Sequence, residues 1–217
     1  MKYGESTFDI LYLLFAITAG ICILYRRKDR IGRLMGIAVL ILGCGDAFHL
    51  IPRLLNYFVD ADFTPWLGIG KLVTSVTMTV FYLLMYRLWI DVYNERESQM
   101  LSAAVYTLFT LRVILCLLPQ NRWPENDSPM IWGVIRNIPF VALGVIIVWL
   151  YFKNRNKIRD FRFVWLLVAL SFLFYIPVAV GAGLAPILGM LMIPKTVCYM
   201  FLIGVFLKNL SPSQINY

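Results

Sequence analysis

An all-α bundle of seven transmembrane helices, with the N-terminus outside and the C-terminus cytoplasmic, is the fold class this sequence predicts. Three observations carry that reading. Of 217 residues, 60% are apolar and only 15% charged, against about 45–50% and about 25% in ordinary soluble domains. Seven apolar windows each approach the roughly 20 residues that a membrane helix needs. The charged residues between those windows alternate in character, basic on one side and acidic on the other. The chain therefore reads as a single helical-bundle domain over residues 1–217. No connection is long enough for a soluble catalytic, nucleotide-binding or DNA-binding domain. The formal charge of +8 is accounted for by its placement at a membrane face and calls for no nucleic acid partner.

The first span, 8–25, starts at Phe8 between Glu5 and Asp9 and lacks a small-residue cleavage motif, so it reads as a retained helix and not a signal peptide. It runs into Arg26-Arg27-Lys28-Asp29-Arg30 and Arg33, a basic connection that places this side in the cytoplasm. The second span, 34–55, ends before Asp60 and Asp62, an outer connection. The third, 67–90, precedes the neutral Glu95-Arg96-Glu97 stretch, and the fourth, 101–119, leads to the outer WPENDSP loop with Glu125 and Asp127. After the fifth, 130–152, Lys153, Arg155, Lys157, Arg159 and Arg162 outweigh Asp160 and mark a second cytoplasmic connection. Only Gly181 to Pro186 separates the sixth span, 162–182, from the seventh, 186–207, so those two are expected to pack as a tight hairpin. Lys208 agrees with a cytoplasmic end. Pro52, Pro139, Pro177 and Pro194 fall within or at the outer parts of four spans, where kinks would open a cavity.

Cys22, Cys44, Cys116 and Cys198 show no CxxC spacing, and His49 is the single histidine. Neither a disulfide framework nor a metal site is expected, and no cofactor is indicated.

Chemistry concentrates in ionisable residues inside the spans: Asp46, His49 and Arg53 in GDAFHLIPR, Lys71, Arg112, Arg136 and Lys195. Each costs roughly 2.5–3.5 kcal/mol at a helix centre, and such residues usually face a bundle interior or watery cavity. At about 1.5 Å per residue, Arg112, Arg136, Lys195 and Asp46 share one layer roughly 9–14 Å below the outer edge. Side chains lean toward their own helix N-terminus, so Arg53 and Arg112 are expected to lean inward and Arg136 and Lys195 outward, converging on that layer. Lys71 lies near the outer end, where snorkelling to the interface explains it. Asp46 alone leaves a surplus of about three positive charges in low dielectric, which asks for an anion or water. Asn137, Thr74, Ser75, Thr77, Thr79, Ser171, Tyr175 and Tyr199 are polar companions for such a cavity.

The expected ligand-binding set is therefore Asp46, His49, Arg53, Arg112, Arg136, Asn137 and Lys195, holding an anionic small molecule or lipid head group in a transporter or receptor-like protein. Asp46 and His49 would serve as proton-coupling groups in a transporter. The alternative is an intramembrane lipid-modifying enzyme in which the same two act as base and acid, or a buried network that only pins helices. Lys195 sits midway along the seventh span, where rhodopsins attach retinal, but the third span lacks the acidic counterion that microbial rhodopsins carry there. In GDAFHLIPR, GKLVTSVTMTVFYLLMYRLW and MIPKT the chain resembles uncharacterised small multi-pass proteins of Gram-positive bacteria. That resemblance covers most of the chain and implies a bacterial cell-membrane protein, with no activity and no site residue attached.

Overall fold

The structure, a computed structural model, describes residues 2–181 and 186–209. Its elements are helices α1 (Lys2–Arg26), α2 (Arg30–Phe58), α3 (Thr64–Tyr93), α4 (Gln99–Leu117), α5 (Met130–Lys153), α6 (Val164–Gly181) and α7 (Met192–Lys208). Short 3-10 turns at Pro119–Asn121, Arg159–Phe161 and Pro186–Leu191 join them. Seven helical stretches are long and apolar enough to cross a membrane, and no strand occurs among the described residues. Neighbours in sequence pack side by side, α7 returns onto α1, and α3 also touches α5. The connections after α2, α4 and α6 lie at what we term the upper end, and those after α1, α3 and α5 at the lower.

The element bounds depart from the sequence expectation in informative ways. α1 begins at Lys2, well before residue 8, so Glu5 joins Asp9 inside the helix. α7 begins at Met192, after a 3-10 turn, so Pro194 falls in its first turn, where a missing N–H costs no bond. α2, α5 and α6 continue through Pro52, Pro139 and Pro177. Residues 182–185 of the expected hairpin lie outside the described residues, but α6 and α7 are packed neighbours.

Local chemistry sets the helix ends. Asp29 caps α2 by accepting from the Gly32 amide at 3.3 Å. Asn94 ends α3 in the left-handed region at φ 50°, a conformation asparagine tolerates. Small residues then let helices approach: the Thr74 hydroxyl donates to the Gly45 carbonyl at 3.0 Å, joining α3 to α2.

The lower half is densely filled. Tyr82, Met85 and Tyr86 of α3, Ile147 and Tyr151 of α5, Phe161 and Phe206 are fully buried. Their polar tips are used: Tyr151 donates to the Met85 carbonyl at 3.1 Å, and the Trp89 indole to the Leu150 carbonyl at 3.1 Å. Ion pairs ring this end, namely Arg27–Asp29, Arg30–Asp91, Arg87–Glu97, Lys157–Glu95 and Lys208–Asp160. Arg27, 2% exposed, also donates to the Asn209 carbonyl at 2.7 Å and so fastens the end of α1 to the end of α7.

Candidate functional site

The upper half opens into a cavity of about 720 Å³ between α2, α3, α5, α6 and α7, with Arg112 of α4 in its wall. His49, Arg53, Arg112, Arg136, Asn137 and Lys195 all line it, as does Lys71. Asp46 does not.

Each cation is placed by identifiable partners. Arg112 is 1% exposed; it donates to the Arg136 carbonyl, and its guanidinium stands 5.0 Å from the Phe140 ring centroid. Its Nε is buried without a partner among the described residues. Arg136 donates from Nη1 to Asn121 Oδ1 at 2.6 Å and Ser128 Oγ at 3.1 Å, and its guanidinium covers the Trp123 ring at 4.5 Å. Lys195, 7% exposed, stands 4.9 Å from the Tyr175 ring and 5.6 Å from Tyr199. Among the described residues no hydrogen-bond acceptor meets its ammonium. Ring faces attract a cation but accept none of its three N–H donors as an oxygen would.

Arg53 corrects an expectation. It was expected to lean inward into the shared layer, yet it reaches toward the upper end, pairing with Glu5 at 3.0 Å and donating to the Tyr57 hydroxyl at 3.3 Å. The cause is the longer α1, which carries Glu5 beside it. The expected surplus of charge shrinks accordingly, because one cation already has its carboxylate. Asp9, 8% exposed on the same helix, is a further deep carboxylate that the shorter first span had left at its edge.

Asp46 faces α1, accepting from the Tyr12 hydroxyl at 2.7 Å, with the Lys195 charge in Coulombic reach on the other side. Among the described residues no hydrogen bond joins Asp46 to His49, and none reaches the buried His49 Nδ1. Asn137 lines the cavity with both amide ends committed: Nδ2 donates to the Gly133 carbonyl at 2.8 Å, and Oδ1 accepts from Tyr175 at 2.7 Å. Its role is to hold Tyr175 beneath Lys195. Of the polar companions expected on α3, Thr74 and Ser75 line the cavity and Thr77 and Thr79 do not.

The α4–α5 connection is the part that sequence reasoning passed over. Asn121 turns its Nδ2 back onto the Leu115 and Leu118 carbonyls at 2.8 and 2.9 Å, capping the end of α4. That leaves Oδ1 free to accept from Arg136. The Trp123 indole does the same for the Cys116 carbonyl at 2.7 Å. A loop read only for its acidic residues thus builds the upper wall. Asp127 is the one carboxylate among the described lining residues.

Arg112, Arg136, Lys71 and Lys195 make no ion pair with any described residue, whereas Arg53 and the lower-end Arg27, Arg30, Arg87, Lys157 and Lys208 do. No group of three or more His, Cys, Asp or Glu among the described residues could hold a metal ion. The chain matches no family model, no curated protein and no solved structure, so the geometry stands alone as the guide to chemistry.

Proposed function

We propose that this is a multi-pass protein of a bacterial cell membrane whose upper end faces outward and whose basic cavity takes up an anionic small molecule or lipid head group for transport. The observation that carries this reading is the set of four cations, Lys71, Arg112, Arg136 and Lys195, that line one cavity without an ion pair among the described residues, Arg112 and Lys195 being buried. Charge buried without a counterion is costly, and a carboxylate or phosphate offers charge-assisted hydrogen bonds that a cation or neutral sugar does not. A filled, ion-paired lower half beneath an open upper half is the arrangement expected of a transporter seen from one side. The acid–base enzyme alternative draws no comparable support, since Asp46 lies behind the wall and makes no bond to His49.

Purified protein screened by thermal shift against anionic, neutral and cationic metabolites and lipids tests the reading. Anions are expected to stabilise selectively. Arg136→Gln and Lys195→Met are expected to weaken binding by roughly tenfold or more each, the size of one lost charge-assisted pair, and Lys71→Met by less, because Lys71 is exposed at the rim. Stabilisation by a cationic or uncharged compound alone, unaffected by the Arg136 and Lys195 substitutions, would overturn it.

A further inference from the structure

The four unpaired cations do not form one patch. Arg136 points to the upper end, since both its partners, Asn121 and Ser128, precede α5 in the chain. Its Nη2 has no acceptor among the described residues, and Lys71 stands exposed at the same end. Arg112 and Lys195 form a second, deeper station. Arg112 lies against Phe140, Lys195 against Tyr175, and those two rings meet edge-on with centroids 5.6 Å apart. Phe140 is one helical turn below Arg136, so the stations are separated by that turn plus the reach of an arginine side chain, on the order of 10 Å. Both deep groups carry donors that no described residue meets: the buried Arg112 Nε and the ammonium of Lys195, which is 7% exposed. The lining also carries the apolar Met78, Phe140 and Val178 beside the polar Thr74, Ser75 and Asn137.

Building on the anion-binding reading above, we infer that the ligand is an elongated dianion with an anionic group at each end, a linear α,ω-dicarboxylate being its simplest form. Charge balance agrees in sign: the four cations face one lining carboxylate, Asp127, with Asp46 in Coulombic reach of Lys195, so positive charge is in excess. One anionic head followed by an acyl chain satisfies only one station and drives a hydrocarbon end against desolvated cations. A dianion of matched length satisfies both, and a Coulombic partner at each end fixes its register.

Isothermal titration of the purified full chain tests this with linear dicarboxylates from succinate to dodecanedioate, their monomethyl esters, the monocarboxylates of equal length, and inorganic phosphate. The expected result is an affinity that peaks at one intermediate length, with the dicarboxylate binding roughly tenfold or more tighter than its own monoester. In Lys195→Met and in Arg136→Gln that ratio is expected to fall to about one while the monoester still binds. Monoester binding also reports that each variant is folded. The ester comparison needs only the unaltered chain, so a variant that fails to fold leaves it intact. Equal affinities for diacid and monoester overturn the dianion inference and leave the anion reading standing. So does an affinity that climbs with chain length regardless of the second charge, which would mark a lipid-like amphiphile. Binding of inorganic phosphate with none of the series bound has the same meaning. Binding confined to uncharged or cationic compounds in the broader screen overturns both.

Discussion

Gly70 shows how a single residue holds the cavity's shape. A Cβ there would run into the Phe48 carbonyl and lie 2.7 Å from the His49 Cα, so α3 approaches the backbone of α2 beside a cavity-lining side chain. Gly70→Ala must push the two helices apart, since backbone cannot rotate out of the way as a side chain would. Overpacking of this kind costs about 1–3 kcal/mol, and we expect a lowered unfolding temperature together with weakened anion binding. Gly204→Ala, which meets nothing within 4 Å at a position outside the cavity lining, should change neither, and equal melting of the two variants would refute the close-approach argument. The charged lining residues were legible in the sequence because an ionisable group in an apolar run needs a reason to be there. Arg53's direction was not, since its partner Glu5 lies 48 positions away in what read as a flank. Trp123, Ser128, Phe140 and Met78 were illegible for the opposite reason: such residues are ordinary in loops and helix cores, and only the fold shows that they face a cavity.

Helices of this bundle were legible as apolar windows, and their ends were not, because hydropathy falls off before hydrogen bonding does. The lower-end connections show what finishes them. Lys157 donates to Glu95 at 2.5 Å and Asn154 donates to the same oxygen at 2.9 Å, tying the α3–α4 and α5–α6 connections together. The Lys157 hydrogen bond, helped by Asn154, holds the Glu95 carboxyl below the usual range against the opposing pull of burial. The Arg27 hydrogen bond does the same for Asp29, where α1 turns into α2. A carboxylate whose folded pKa is depressed contributes stability above its unfolded value, about 4.3 for Glu and 3.9 for Asp, and loses it as pH falls through the lower folded value. Melting in detergent should therefore fall off below about pH 4. Glu95→Gln should lower the neutral-pH melting point by the small amount typical of an exposed pair, about 1 kcal/mol or less, and flatten the acid limb. Asp29→Asn should cost more, because it strands Arg27, which is 2% exposed. An acid limb unchanged in both variants would show that these ties do not hold the lower end.

At the scale of the whole molecule, charge and shape point the same way. The connections after α1 and α5, with Arg26, Arg27, Lys28, Lys153, Arg155 and Lys157, fall at the end of the bundle that is ion-paired and filled; Asp60, Asp62, Glu125 and Asp127 fall at the end that opens. Cytoplasmic loops carry the excess of lysine and arginine, so the orientation proposed above, with the cavity mouth outside, is the one the positive-inside rule favours. A cavity that opens outward should admit a water-soluble reagent that cannot cross the membrane. In a background with Cys22, Cys44, Cys116 and Cys198 replaced, Asp127→Cys in the cavity wall should react with an impermeant thiol reagent on intact cells, and the exposed Asn156→Cys only after permeabilisation. A bound anion should slow labelling at position 127, which lines the cavity, and leave position 156 unaffected. Labelling of position 156 alone on intact cells would invert the protein in the membrane and turn the cavity toward the cytoplasm. The local chemistry of the cavity would survive that result, but the proposed ligand would then be drawn from inside, turning the proposed uptake into export.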